Sequence, residues 1–336
     1  MIKSNNKFIK LAINKAWEYQ FLTYPNPAVG SCVVRNNEIL AVESHHEAGL
    51  PHAEVNALKS AYLTKYPNSQ IKNLVHSNDI HNFLINNHNN FFKDCEIYVT
   101  LEPCNHIGKT PACAMLLESI EIKKVVIGTL DPNNEASGGK ERLEDAGIKV
   151  EVLDNIDCNN LLLPFIKWQK KNFKFFKMAM REDGTVTGGY ITTQDSLNLV
   201  HNIRTKIDLM VIGGETVRID RPTLDARFAL ENRPPDILIY SNSKNIDKTI
   251  PLFSVKNREI TINNNLELLN KNNFIMIEGG YNLLEIIKDK IDCLIIFISH
   301  KEKKNKQFDI ESLGFKKVHT YMINQFDEIV FLFKLS

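Results

Sequence analysis

The strongest constraint on the fold of this chain is an alternation. Apolar runs of strand length at 29–35, 38–43, 96–100, 124–128 and 148–153 are separated by segments with helical periodicity or helix start signals. Such alternation predicts an α/β layered domain with a largely parallel sheet, because each crossover helix covers one face of the strands it joins. Residues 6–22 place Phe8, Leu11, Ala12, Ala16 and Phe21 at helical spacing. Asn36-Asn37 is a turn signal between two of the runs and predicts a hairpin. Pro51 reads as the first-turn proline of a helix through Ala53, Val55, Ala57, Leu58 and Ala61. Further helices are expected at 111–119 and at 140–146, the latter closed by Gly147.

The alternation is interrupted twice. Residues 63–93 hold Asn and His clusters such as 86–90, and read as a polar insertion with one short helix, outside the core. Around 155–172 the pattern breaks and a basic, aromatic stretch follows. A linker is therefore expected at 154–171, between a first domain, 1–153, and a second, 172–336. Strand-like runs at 173–180, 208–213, 236–240, 273–277 and 292–299, with helices near 195–205 and 281–290, make the second domain α/β as well. A length of 336 residues suits two domains at roughly 150 residues each. The 37 asparagines read as coding bias.

Charge and hydropathy narrow the function classes. Lys and Arg number 41 against 40 Asp and Glu, so the total carries no electrostatic footprint for nucleic acid. The longest apolar run, 293–299, falls far short of the ~18–20 residues of a membrane span. Residues 1–20 lack the apolar core of a secretory signal. The expectations are a cytoplasmic chain, no nucleic-acid partner and no membrane partner. In a reducing compartment its six cysteines are metal ligands or core fillers rather than disulfides.

Chemistry enters at His52-Ala53-Glu54, on the first turn of the helix behind Pro51. Some fifty residues on, Glu102-Pro103-Cys104 follows a strand, and Cys113 opens another helix. One imidazole and two thiolates suit a catalytic zinc, which leaves its fourth position to water. Helix N-termini also favour thiolate. Glu54, two residues from a ligand, is placed to shuttle a proton. Each half of the pattern is weak alone, but H-x-E followed by P-C is the zinc-deaminase signature. Eight residues separate Cys104 from Cys113 where two are usual. The remaining thiols, Cys32, Cys95, Cys158 and Cys293, read as ordinary core or surface groups.

The chain resembles the bifunctional riboflavin-biosynthesis deaminase/reductase family. The resemblance rests on Tyr24-Pro25-Asn26-Pro27-Ala28-Val29-Gly30, on residues 45–55 around His52-Ala53-Glu54, and on residues 100–113 with their long Cys–Cys spacing. It implies an N-terminal cytidine-deaminase-like three-layer domain followed by a C-terminal dihydrofolate-reductase-like domain. It also implies Zn2+ on His52, Cys104 and Cys113, catalysis by Glu54, and substrate contacts from Asn26, His45, Lys109 and Thr110.

In the rear half the resemblance runs through Lys177-Met178-Ala179-Met180, residues 201–204, residues 216–224, Arg227 and Glu278-Gly279-Gly280. It implies a substrate site at Arg204, Leu224, Arg227 and Glu278, and an NADPH site at Ala179, Tyr190, Thr216, Asp220 and Gly280. By themselves the glycine-rich turns 213–214 and 279–280 suit either phosphate approach or a tight turn needing positive φ. No G-x-G-x-x-G opens a βαβ unit.

Departures stand beside these matches. Arg181 replaces a usual serine, Tyr190 replaces tryptophan, and about five residues are missing between Gly184 and Tyr190, where Gly188 falls at the place of a substrate-touching serine. The implied substrate is a small phosphorylated pyrimidine. Two other readings stay open: a zinc deaminase with an inactive or regulatory rear domain, and a nucleic-acid deaminase. Oligomeric state, a homo-oligomer included, is open too.

Overall fold

A computed structural model describes residues 2–106, 108, 110–133, 136–231, 233–271, 273–302 and 308–334. The chain folds as two compact units, Met1–Ile166 and Lys167–Ser336.

The first unit runs α1 (Ile2–Trp17), β1 (Gly30–Arg35), β2 (Glu38–Ser44), α2 (Ala53–Lys65), α3 (Ser77–Asn87), β3 (Cys95–Val99), α4 (Cys113–Ser119), β4 (Lys124–Ile127), α5 (Gly139–Asp145), β5 (Lys149–Val152) and α6 (Ile156–Lys170). Its sheet has the order β2-β1-β3-β4-β5. Strand β1 is antiparallel to both neighbours, and β3, β4 and β5 are parallel. The sheet is thus mixed rather than largely parallel. Asn36 and Asn37 both take positive φ (50° and 65°), the requirement of a tight hairpin turn whose twist matches the strands.

Successive strand residues face opposite ways, so each strand supplies two cores. Val33, Ile97, Val99 and Val125 pack with Val55 and Leu58 of α2 and with Leu116 and Leu117 of α4. On the other face Tyr98 meets Phe8 of α1 at 5.1 Å between ring centres. Gln20, just beyond α1, donates to the Leu161 carbonyl of α6 at 2.8 Å. The result is a three-layer arrangement, helix against sheet against helix.

Three expectations change here. Pro51 lies outside α2, and His52 is its extended N-cap residue (φ −68°, ψ 165°). The 63–93 stretch is not outside the core, because Ile71, Ile80, Leu84, Phe91 and Phe92 are all at most 4% exposed within it. Its asparagines coat the solvent side while apolar residues one helical turn apart, Ile80 and Leu84, face inward. Where a linker was expected, α6 forms a continuous helix with Pro164 inside it. The last turn of α6 already belongs to the second unit, within which Trp168 packs on Phe173 and Phe274.

The second unit runs β6 (Phe173–Arg181), α7 (Gln194–Arg204), β7 (Leu209–Gly213), α8 (Gly214–Asp220), β8 (Asp236–Tyr240), β9 (Ile260–Asn263), β10 (Phe274–Glu278), α9 (Tyr281–Ile287), β11 (Cys293–Ser299), β12 (Lys316–Met322) and β13 (Asp327–Phe333). Its sheet has the order β12-β13-β11-β6-β10-β7-β8-β9. The run from β11 to β9 is parallel, and β13 and β12 add an antiparallel hairpin at one side. Strands β9, β12 and β13 and helix α8 were not expected from the sequence. Among the described residues no helix is long and apolar enough to cross a membrane.

Candidate functional site

In the first unit, His52, Cys104 and Cys113 come from three separate segments. His52 caps α2, Cys104 sits in the loop after β3, and Cys113 is the first residue of α4. Their donor atoms lie within 4.8 Å of one another, the single such cluster among the described residues. His52 Nδ1 is 3.6 Å from Cys104 Sγ and 3.4 Å from Cys113 Sγ. Zn–S and Zn–N bonds of about 2.3 and 2.1 Å at a tetrahedral angle put S and N about 3.6 Å apart. The cluster therefore has the dimensions of a zinc site with three protein ligands. Cysteine and histidine are also the donor chemistry zinc prefers.

Electrostatics within the cluster favour one thiolate before any metal arrives. The Cys104 thiol is pushed down to about 4, first by its hydrogen bond with Cys113 and then, against the opposing effect of burial, by the His52 ring. Cys113 goes the other way, raised by the same hydrogen bond and by burial. The backbone N–H of Cys113, at the helix N-terminus, donates to Cys104 Sγ at 3.4 Å. Glu54 is 4% exposed, and burial pushes its carboxyl up to about 7. That is the range in which a carboxyl group can both accept and return a proton near neutrality.

The expected substrate contacts fall around this cluster in different ways. His45 Nδ1–H donates to the Pro51 carbonyl at 3.1 Å, which leaves Nε2 to accept from Asn26 Nδ2 at 3.1 Å. Burial, and then the neighbouring His52, lower His45 to about 4, so its ring is neutral at pH 7. The rings of His45 and His52 meet edge-on at 5.3 Å. Asn26 is fixed in turn by Thr23, whose hydroxyl donates to its carbonyl at 3.0 Å. The Thr110 hydroxyl stands 3.3 Å from His52 Nε2, where it orients the ring that points Nδ1 at the sulfurs. Lys109 lies outside the described residues.

One group that sequence reasoning gave no role organises the loop beneath Cys104. The Glu102 carboxylate is 5% exposed and accepts from three backbone N–H groups. These are Gly138 and Lys140 at 3.0 Å each, and Asp131 at 3.1 Å. It thereby caps the start of α5 and ties the 131–138 loop to the strand end. Gly139 presses against the same place: a Cβ there would stand 1.8 Å from the Pro103 carbonyl oxygen, so only glycine fits.

In the second unit, Glu278 ends β10, paired in register with Lys177 of β6 and with Ile212 of β7. This is the carboxyl edge of the parallel strands, where open α/β sheets place their ligands. Arg204, the last residue of α7, is buried and sends Nη2 to both Glu278 oxygens at 3.3 Å. Its Nη1 donates to the Asp225 carbonyl at 3.1 Å. Burial would raise Glu278, but Lys177 and Arg204 outweigh it and hold the carboxyl below its ordinary range. Leu224 takes the left-handed conformation (φ 54°), with its carbonyl held by Arg258 Nη1 at 2.6 Å. Arg258 also grips the Thr223 carbonyl at 2.9 Å, a bracing role with no sequence signal.

The structure thus joins Arg204, Glu278 and the Leu224–Asp225 turn. Arg227 is exposed, near the Asp225 carboxylate at 3.6 Å and over the Phe228 ring. Ala179 and Gly280 lie near the same carboxyl edge, on β6 and at the start of α9, and Thr216 lies in the first turn of α8 after β7. Asp220 is exposed at the far end of α8, and Tyr190 is 82% exposed on its loop. Arg181 reaches the Thr187 carbonyl at 2.7 Å. None of Gly213, Gly214, Gly279 and Gly280 has positive φ. Gly214 is required instead by the close approach of Ser241, 2.6 Å from where its Cβ would be.

Comparison with known proteins gives four findings. Residues 2–129 match the cytidine and deoxycytidylate deaminase zinc-binding region. The riboflavin biosynthesis protein RibD of Aquifex aeolicus is 31% identical over 304 residues, 86% of this chain and 78% of that protein. The RibD protein of Synechocystis sp. is 34% identical over 238 residues, 68% of this chain and 56% of its own length. Among solved structures, a diaminohydroxyphosphoribosylaminopyrimidine deaminase/5-amino-6-(5-phosphoribosylamino)uracil reductase from Thermotoga maritima superposes with a TM-score of 0.62 at 25% identity. That match covers 98% of this chain and 99% of the other.

Proposed function

Because the chain belongs to the family of riboflavin biosynthesis protein RibD, we propose that it carries out two consecutive steps on one phosphorylated pyrimidine. The first is hydrolytic deamination of 2,5-diamino-6-ribosylamino-4(3H)-pyrimidinone 5′-phosphate. The second is reduction of the ribosyl group of the product to ribityl. Residues 1–153 serve as the deaminase domain and 172–336 as the reductase domain. The observation that carries the reading is the gathering of His52 Nδ1, Cys104 Sγ and Cys113 Sγ within 4.8 Å, with Glu54 buried two residues from His52.

Zinc bound by these three residues acidifies a water and so supplies the nucleophile at neutral pH. Glu54 would take the proton released and deliver it to a ring nitrogen of the pyrimidine, then carry the water's second proton from the hydroxyl newly added to the ring carbon to the departing amine. Asn26 and His45, locked together and neutral, hold the pyrimidine edge, and Thr110, with Lys109 next to it in the sequence, is assigned to the substrate's phosphate. In the second unit NADPH, when bound, would supply the hydride that reduces C1 of the opened ribose. Ala179, Thr216 and Gly280 at the carboxyl edge are assigned to the cofactor, together with Tyr190 and Asp220. Arg204, Leu224, Arg227 and Glu278 receive the substrate, with Arg227 as the exposed cation that meets its phosphate.

The ionic pairing of Arg204 with Glu278 supports this division. A guanidinium already spanned by a carboxylate serves sugar hydroxyls better than a phosphate. A near-neutral chain and a zinc pocket joined to a cofactor-binding sheet favour a small substrate over nucleic acid, and a cytoplasmic site of action accords with both. The test is a coupled assay on the purified chain given the pyrimidine nucleotide and NADPH. Expected are zinc-dependent ammonia release and NADPH oxidation that follows it. Ammonia release with no oxidation, even from supplied deaminated product, would leave a deaminase with an inactive rear domain. Release from tRNA but not from the nucleotide would overturn the substrate class.

A further inference from the structure

The basic, aromatic stretch that opens the second unit takes no part in the sites described above. Two of its lysines join two others at the amino edge of the second sheet, the end opposite Glu278. Lys167 lies on the last turn of α6 and Lys174 is the second residue of β6. Lys290 closes the short turn after α9. Lys334 directly follows β13, which is antiparallel to β11 and so ends where β11 begins. The four line a cavity of about 570 Å³, within the range of roughly 300–1,000 Å³ usual for small-molecule pockets.

Asp292 ties this edge together. Its Oδ2 accepts the backbone N–H of Lys174 at 2.9 Å, and its Oδ1 lies 3.4 Å from Lys167 Nζ. Its carbonyl accepts the Lys334 N–H at 3.2 Å. Asp289 meets Lys334 Nζ at 3.1 Å. Both carboxylates are thus engaged, and among the described residues neither forms an ion pair with the ammonium of Lys174 or Lys290. Lys174 is half-buried, and its Nζ donates to Asn172 Oδ1 at 2.9 Å. Asn172 is itself buried and donates to the Leu269 carbonyl at 2.8 Å. This amide fixes the ammonium without cancelling its charge. Four cations against two carboxylates, with no other charged residue lining the cavity, leave a surplus of two positive charges. Leu266, Leu269 and Ile291 form an apolar wall beside them.

We propose that this cavity binds a phosphate monoester, with the phosphate on Lys174 and Lys290 and the organic part on Leu266, Leu269 and Ile291. Such a group carries about −1.5 to −2 charges at neutral pH, which matches the surplus, and lysine binds phosphate as a point charge. The apolar wall favours an organic phosphate over the inorganic ion. At about 3.3 Å per residue, Phe274 at this edge and Glu278 at the other stand roughly 13 Å apart along β10. The site is therefore distinct from the carboxyl edge, and it does not rest on the reductase reading.

The test treats the full chain with pyridoxal 5′-phosphate, a phosphate monoester whose aldehyde condenses with a lysine amine to an imine, releasing water. Borohydride fixes the imine, and peptide mapping locates it. Label should concentrate on the lysines of this cavity. It should fall about tenfold with pyridoxal, which lacks the phosphate, as the loss of one charge-assisted hydrogen bond implies. Phenyl phosphate should protect these lysines at lower concentration than inorganic phosphate does. Lys290→Gln, at an exposed position, should cut labelling of the other three, whereas Arg227→Gln at the carboxyl edge should leave it unchanged. Label spread evenly over surface lysines, or equal labelling by pyridoxal, would overturn the proposal. Protection by inorganic phosphate as strong as by phenyl phosphate, or protection that is lost with Arg227→Gln, would count equally against it.

Discussion

Replacing Glu102 by glutamine changes one atom and removes one charge, yet the structure makes it a severe substitution. The carboxylate accepts three backbone N–H bonds at 3.0–3.1 Å in a site only 5% exposed. Hydrogen bonds to a charged acceptor contribute about 1.5–3 kcal/mol and neutral ones about 0.5–1.5. The two N–H groups that keep an oxygen partner therefore lose about 1 kcal/mol each. The third, from Asp131, would face an amide NH2, and a buried donor without an acceptor costs about 1–3 kcal/mol. Glu102→Gln should destabilise the first unit by roughly 3–5 kcal/mol, a large share of the 5–15 kcal/mol typical of a domain.

A urea titration in a Trp168→Phe background reads this effect, because the remaining tryptophan, Trp17, is buried in the first unit. Loss of the cap also frees the backbone around Pro103 and Cys104, so zinc affinity should fall with stability. A shift below 1 kcal/mol for both Glu102→Gln and Glu102→Ala would refute the reasoning, since it would mean that water satisfies those N–H groups as well as the carboxylate does.

Other expectations follow from the same geometry. Glu54→Gln should keep zinc and fold but lose deamination by about two to four orders of magnitude; near-normal ammonia release would remove Glu54 from proton transfer. Gly139→Ala must displace Pro103, whose oxygen would stand 1.8 Å from the new Cβ, and should lower both melting temperature and zinc content; a parent-like protein by both measures would contradict it. Arg204→Lys loses the fork on Glu278, so NADPH oxidation should drop at least tenfold while ammonia release is untouched, and equal loss of both activities would point to misfolding.

His300 gives a pH test. Its ring lies 2.6 Å from Glu182 and 3.2 Å from Glu328. Burial lowers its pKa, but the two carboxylates outweigh this and raise it. The stabilisation is then complete below the ordinary histidine value of about 6.5 and is lost as pH rises through the folded-state value. The melting-temperature gap between the parent and His300→Gln should accordingly narrow with rising pH, and a constant gap would contradict it.

Much of this site could be read from residue order, and the reasons are local. A histidine cap, a Pro-Cys strand exit and a cysteine at a helix start each carry their own signal, and the signature spacing joins them. What escaped reading depends on partners far along the chain. Glu102 acts through amides up to 38 residues away, and Arg258 through carbonyls 34 and 35 residues earlier. Neither role leaves a mark at its own position. The inward face of α3, with Ile80, His81 and Leu84, was hidden differently, by the asparagines at 78, 82, 86 and 87 of the same helix. In the second unit α8 was read as a glycine-rich turn, because Gly213-Gly214 suggests a loop although Gly214 only makes room for Ser241. Strand β12 alternates weakly along a half-exposed edge. The apolar run of β13 was legible and passed over.

The buried residues of 63–93 bear on how a chain of this kind can change length. A loop that stays on the surface can be shortened at little cost. Residues 63–93 instead seat Ile71, Ile80, Leu84, Phe91 and Phe92 beside α2, and the Tyr62 ring of that helix rests among Phe83, Phe91 and Phe92. Cutting it out would uncover an oily flank on a molecule with almost no net charge to keep copies apart. A shortened chain should therefore clump before it unfolds. The segment is thus held in place by solubility, whatever it contributes to chemistry.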